Sequence, residues 1–246
     1  MIFKKYIGDT NKGPYLENNE DEFSVDVNKK LFMVLDGFGG LNIGDEAAKN
    51  IKADINHYYD NFFADENMTM PFFFSPQYLI EGNALINACI LAHNNLLKKN
   101  SEKELSKRGG SSAIIGAVAG SVLIVVSIGN CSGYLLRNGK MESLAKKESF
   151  RHFSSSFNIS KEIEVPMNAF GLFERFSFQC HETRILNDDQ VIFGSDGAFC
   201  GMGENQILSL YNGPKEQSLT EKIKKNFYLA NQNGNMDNQT LLAIEF

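Results

Sequence analysis

The 246-residue chain reads as an α+β layered sandwich, with antiparallel sheets at the centre and helices outside. Three observations predict this. Short apolar runs bounded by turn residues come in groups, two long segments with helical spacing lie between those groups, and the regular strand–helix alternation of a doubly wound sheet is missing. With 43% hydrophobic and 22% charged residues, and no linker or low-complexity tract, a single domain over 1–246 is expected.

The stretch ENNEDEFSVD leads into the first strand pair, whose second member, LFMVL, is closed by Asp36 and Gly37. From Gly44, residues Ala47, Ala48, Ile51, Ile55, Tyr58, Tyr59 and Phe62 recur at helical spacing, and Asp45 and Glu46 favour a helix start. Ser75-Pro76 is a good N-cap and first-turn pair for a second helix, running toward Lys99 through Leu79, Ile80, Ile86, Ile90 and Leu97. The charged segment SEKELSKRGGSS reads as a connector. After it, an antiparallel meander is expected, with turns at Gly120-Ser121, Asn130 to Gly133 and Asn138-Gly139. Residues 145–180 lack periodicity and read as an irregular flap. The strand VIFGS, a helix over Gln217 to Asn231 and a final strand from Thr240 to Phe246 complete the chain.

A net charge of −6 and a pI near 5.3 argue against a broad electrostatic grip on nucleic acid or anionic lipid. No apolar stretch spans a bilayer, and the N-terminus meets Gly and Asp too early for a signal sequence, so a cytoplasmic protein is expected. Cys89, Cys131, Cys180 and Cys200 contain no C-x-x-C pair and fit reduced structural thiols.

Aspartate twice closes an apolar run and is followed at once by glycine, at Asp36 in LFMVLDGFGG and at Asp196 in VIFGSDG. Asp237 opens a third run, TLLAIEF. One Asp-Gly after a strand is ordinarily a tight turn. Three carboxylates at strand ends are a different matter, because Mg²⁺ and Mn²⁺ need several oxygens at short range, and rigid strand ends with a closely approachable glycine carbonyl supply them.

The order of motifs resembles the metal-dependent protein serine/threonine phosphatases of the PP2C (PPM) family. The blocks are NNEDEF at 18–23, LFMVLDGFGG with GDEAA at 31–48, GGSSAIIGAVAG at 109–120, VSIGNCSGYLLRNGKMESL at 126–144, VIFGSDGAF at 191–199 and GNMDNQTLLAIEF at 234–246. The resemblance implies a four-layer αββα sandwich with a two-metal site, two Mn²⁺ or Mg²⁺ ions, at one end. By motif, Asp36 bridges both ions, Glu20 and the Gly37 carbonyl serve one, Asp196 and Asp237 hold the other, and Asp21 stands just behind. Such a pair lowers the pKa of a bridging water for in-line attack on phosphorus. The implied substrate is a phosphoserine or phosphothreonine protein, with a cognate kinase as a further partner and a monomer as the working form.

Four positions depart from the pattern. The family's DGHGG block carries a histidine that protonates the leaving oxygen, and here Phe38 stands there. General acid catalysis contributes ~10²–10⁴-fold, most for poor leaving groups. Leu16 occupies the place of a phosphate-gripping arginine, leaving Lys12 or Arg151 as substitute cations. Asn130 and Cys200 replace two acids of a third, weaker metal site, which is therefore expected to be absent. Three readings compete: a divergent phosphatase, a metal- or phosphoprotein-binding pseudophosphatase, and a scaffold in which the acids are turn residues. Retention of Glu20, Asp36, Asp196 and Asp237 favours the first, because metal-activated water needs no side-chain nucleophile.

His57, His93, His152 and His181 make no metal-spaced pair, and Ser195 lacks the surroundings of a nucleophile elbow. The PFFF run at 71–74 reads as a loop anchored into the core by its aromatics, and Cys131 and Cys200 as small buried thiols.

Overall fold

The computed structural model describes residues 3–39, 43–64, 68–156, 159–213 and 217–246. Two five-stranded sheets form its centre. One contains β2 (Asp21–Asp26), β3 (Leu31–Phe38), β4 (Gly110–Ala119), β5 (Val122–Ile128) and β10 (Gln179–Arg184), in the order β10-β5-β4-β3-β2. The other contains β1 (Lys5–Asn11), β6 (Ser132–Arg137), β7 (Lys140–Ser143), β11 (Gln190–Gly194) and β12 (Gln239–Glu245), in the order β1-β12-β11-β6-β7. Every neighbouring pair runs antiparallel.

Side-chain parity builds the four layers. On β3, Leu31, Met33 and Leu35 face one way and pack with Ile115 and Val126 against Ile51, Ile55, Leu85 and Cys89 of helices α1 (Ile43–Ala64) and α2 (Ile80–Ser101). Phe32 and Val34 face the other way and meet Val191, Phe193, Leu242 and Ile244 of the second sheet. The far face of that sheet, with Ile192, Leu241 and Ala243, is covered by Ile207, Leu210, Ile223 and Phe227 of α3 (Glu204–Tyr211) and α4 (Leu219–Gln232). A strand buried on both faces must be apolar at every position, which is why LFMVL shows no alternation. The αββα order is the one expected.

Five local expectations are corrected. Ser75-Pro76 lies in a turn and α2 starts at Ile80, because the amides of Asn83 and Asn87 take up the backbone polar groups of the preceding loop: Asn87 Oδ1 accepts from Phe72 and Phe73, and Asn83 Oδ1 from Ser75. Phe73 alone of that loop's phenylalanines packs on the core, while Phe72 and Phe74 are exposed. Gly110 to Ser112 are not connector but the start of β4, paired with Phe38 to Asp36. The expected meander is split: β4 and β5 form a hairpin, but at Gly129, with φ of 86°, the chain crosses to the other sheet and β6 pairs with β11. The flap begins as a regular two-stranded hairpin, β8 (Ser149–Ser156) with β9 (Ile159–Pro166). Helix α3 was not legible; α4 was, and Ser218 and Glu221 close a capping box at its start.

Candidate active site at one end of the sheets

The register of β2 and β3 sets Asp21 directly opposite Asp36. Asp36 lies within β3 rather than after it, because the strand continues through Gly37 and Phe38 to pair with Ser111 and Gly110. The Gly37 N–H donates to the Glu20 carbonyl at 3.2 Å, and a Cβ at Gly37 would collide with the carbonyls of Glu20 and Gly44. Gly44, at the start of α1, carries the Glu20 carboxylate against its Cα, where any side chain would displace it. Two glycines therefore bring Glu20, Gly37 and Asp36 together.

From the second sheet come Asp196, two residues after β11, and Asp237, two before β12. The Ser195 N–H donates to the Thr240 carbonyl at 3.0 Å, and the Ser195 hydroxyl accepts from the Thr240 N–H at 3.0 Å, so Ser195 is the turn residue expected. The turn after Asp196 is gripped from below, with Asn226 Nδ2 donating to the Ala198 carbonyl at 2.6 Å. Asn235 brackets Asp237, accepting its N–H and donating to its carbonyl.

These acids act on one another. Asp36 is 8% exposed, and its pKa stands well above the ordinary carboxylate value, first because it is buried and then because Asp196, Asp21 and Asp237 surround it with like charge. Asp21, 6% exposed, is pushed up to about 8 by burial, against nearby hydroxyls of Ser195 and Thr240 that pull it down, and with Asp237 and Asp196 adding repulsion. Its Oδ2 is sealed from solvent with no hydrogen-bond partner. Asp237 stands exposed at the rim, where water screens the upward push that its surroundings exert. On Asp21 and Asp36 the strongest neighbouring charges are carboxylates, so the cluster lacks only a cation to be balanced.

A cavity of about 320 Å³ opens beside the cluster, lined by Leu16, Glu17, Asn18, Glu20, Asp36, Gly37, Phe38, Gly39, Asp237 and Asn238. Of the sequence-derived set it collects Glu20, Asp36, Gly37 and Asp237; Asp196 is not among the lining residues but acts on Asp36, which is. Among the described residues no group of three or more His, Cys, Asp and Glu side chains is placed so that it could hold a metal ion as it stands. In kind, the donors fit a hard divalent ion: all are oxygens, several are charged, and one buried carboxylate oxygen has no partner.

The departures fall in the same place. Phe38 and Leu16 line the cavity, and among the described residues no Lys or Arg lines it. A side chain at Gly110 would collide with the Phe38 ring and with Leu172, so the Phe38 ring is packed between strand and loop. Lys12 is an exposed residue whose carbonyl accepts from Asn238, and the Arg151 and His152 side chains lie outside the described residues. Cys131 is buried, as expected, but Cys200 is only half-buried. The Asn130 amide donates to Asp196 Oδ2 at 2.6 Å, a role that reading Asn130 as a lost acid did not foresee. Asn238, next to Asp237, was also missed.

Comparison with known proteins points one way. The chain is 24% identical over 251 residues to a serine/threonine phosphatase, stp, of Listeria welshimeri, covering 96% of this chain and 93% of that protein. It is 26% identical over 249 residues to the serine/threonine protein phosphatase PstP of Mycobacterium tuberculosis, covering 98% of this chain and 45% of that longer protein. Among solved structures, PstP/Ppp of M. tuberculosis superimposes with a TM-score of 0.76 at 20% identity over 98% of both chains. The catalytic domain of PstP in complex with two manganese ions gives 0.74 at 20% identity over 98% of this chain and 97% of that one. At these identities the structural likeness is one of fold. No protein-family model matches the chain.

Proposed function

The chain is a PP2C/PPM-family protein, and from that premise we propose that it is a metal-dependent phosphomonoester hydrolase acting on phosphoserine and phosphothreonine in proteins. One observation carries the reading. Two sheets deliver Asp21, Asp36, Asp196 and Asp237 from separate strands into one mutually repelling cluster beside an open cavity. Crowding like-charged carboxylates together, two of them buried, costs stability, so a scaffold gains nothing by assembling them.

Within this reading Asp36 would serve both cations, Glu20 and the Gly37 carbonyl one of them, and Asp196 and Asp237 the other. Two Mn²⁺ or Mg²⁺ ions, when bound, would supply a water nucleophile at neutral pH and offset charge on the phosphoryl oxygens. Asp36 and Asp21, held on adjacent β-strands, fix the spacing of that site, and Asn130 holds the Asp196 carboxylate by a neutral donor. Phe38 offers the leaving oxygen no proton, so the departure of a poor leaving group is slowed. With Leu16 on the wall in place of a cation, phosphate binding falls to the ions or to a cation from elsewhere. A protein kinase acting on the same substrates, a monomeric state and a cytoplasmic setting follow as parts of the proposal. Among the described residues no helix is long and apolar enough to cross a membrane.

The test is phosphate release from an aryl phosphate and from a phosphoserine peptide, with Mn²⁺, for the parent, Asp36→Asn and Asp196→Asn. Metal-dependent turnover abolished by either substitution is expected. A parent with no turnover on either substrate would sink the enzyme reading.

A further inference from the structure

Asn238 is 3% exposed, and every hydrogen-bonding group of its side chain is used. Its Oδ1 accepts the Glu20 N–H at 2.8 Å, and its Nδ2 donates to the Asn18 carbonyl at 2.9 Å and the Lys12 carbonyl at 3.0 Å. Its own N–H donates to Asp237 Oδ1 at 2.8 Å. Its carbonyl lies so close to Gly197, the residue after Asp196, that a Cβ at Gly197 could not be accommodated. One residue thus touches the backbone that carries Glu20, the carboxylate of Asp237 and the turn that follows Asp196.

Few of these contacts are supplied by secondary structure. Glu20 precedes β2, Asn18 and Lys12 lie in the stretch between β1 and β2, and Asp237 and Asn238 precede β12. Asn238 links the Glu20 segment directly to Asp237, its side chain accepting from the Glu20 N–H and its own N–H donating to the Asp237 carboxylate. An amide suits the task because it accepts at one atom and donates twice at the other, which a carboxylate of the same size cannot do.

We propose that Asn238 is a positioning residue that holds Glu20 in register with Asp237, so that the acids contributed by the two sheets can grip divalent cations together. The proposal rests on the metal-dependent reading above. It concerns the alignment of donors rather than contact with substrate. Positioning of this kind typically costs 10- to 100-fold in metal affinity when lost.

The experiment follows the Mn²⁺ concentration needed for half-maximal thermal stabilisation, and in parallel for half-maximal phosphate release, in the full chain. Asn238→Asp keeps the acceptor for Glu20 but sets a carboxylate against the Asn18 and Lys12 carbonyls, and Asn238→Ala removes the link. Both are expected to raise the Mn²⁺ requirement at least about tenfold. Asn87→Ala serves as the control, since Asn87 is an equally buried amide that pins the loop at 72–73 and touches none of the acids. It should lower the melting temperature and leave the Mn²⁺ requirement unchanged. If both Asn238 variants melt earlier yet titrate with Mn²⁺ as the parent does, Asn238 is structural only and the proposal is overturned. Should Asn238→Asp fail to fold, Asn238→Ala alone decides between these outcomes. A parent whose stability and activity ignore Mn²⁺ overturns the metal-dependent reading itself, and this proposal with it. Stabilisation without turnover overturns only the enzyme reading and leaves the Mn²⁺ titration to test Asn238.

Discussion

Strand β11 has an aspartate just outside each end, and the two are treated in opposite ways. At its start Asp189, 1% exposed, receives two hydrogen bonds from Arg137, Nε at 2.8 Å and Nη2 at 2.6 Å, and a third from the Leu186 N–H at 2.7 Å. Beyond its end Asp196 receives the neutral amide of Asn130 at 2.6 Å and stands close enough to Asp36 to add like charge to it. An arginine is paired with the carboxylate that holds the fold, whereas the charges that act on Asp21 and Asp36 are those of other carboxylates. The difference separates charge that is spent on the structure from charge that is held in readiness.

The largest expected effect tests that division directly. Asp36→Asn should cut Mn²⁺-dependent phosphate release by ~10³-fold or more, given the several kcal/mol a metal site contributes, while the melting temperature measured in a chelator stays level or rises. Asp189→Ala should do the reverse. It leaves the Arg137 guanidinium without its carboxylate and costs about 3 kcal/mol in urea unfolding, toward the low end for a buried pair because the Arg137 side chain is 30% exposed. Turnover by the folded fraction should stay near the parent's. Equal stability losses for the two variants would erase the distinction.

Next in size is chemistry at the mouth. Phe38→His should raise kcat/KM for a phosphoserine peptide by ~10²-fold relative to an aryl phosphate, because phenolate leaves without help and a serine alkoxide does not. An unchanged ratio between the two substrates would remove the role assigned to the missing acid. A smaller effect concerns cations: Mn²⁺ should raise the melting temperature of the parent and of Asp189→Ala by the same amount, and of Asp36→Asn by much less. A full shift in Asp36→Asn would place the ion elsewhere.

A further effect is the pH dependence of the chelated protein. Asp21 titrates at about 8 when folded against 3.8 ordinarily, so between those values the folded state holds a proton that the unfolded chain has released. Stability is therefore fully present below 3.8 and is lost as pH rises toward about 8. Thermal melts in chelator should show this fall in both the parent and Asp189→Ala, and Asp21→Asn should flatten it. A fall that persists undiminished in Asp21→Asn would assign it to other groups.

Much of this division was legible in the sequence, and the illegible part has physical causes. Apolar runs ending in Asp-Gly reveal strands and acids together, since both follow from local periodicity and turn chemistry. Helix α1 and strand β12 were readable for the same reason. The crossing from one sheet to the other at Gly129 was not, because a strand's hydrophobic pattern is the same whichever partner it pairs with. Helix α3, eight residues long, is too short for its periodicity to stand out. The Asn130 and Asn238 amides were invisible as site components because their partners lie 66 and 218 residues away, and nothing local marks an asparagine as a long-range clamp.

The loop before α2 carries one more lesson. Its backbone groups at Phe72, Phe73 and Ser75 are held by the side chains of Asn83 and Asn87, so the path of the loop is encoded in the helix that follows it. Two codons in α2 fix a shape that the loop's own residues need not specify. Exposed members such as Phe72 and Phe74 are then free to drift without moving the chain, which makes this stretch a place where lineages can change what the surface presents while inheriting the same scaffold.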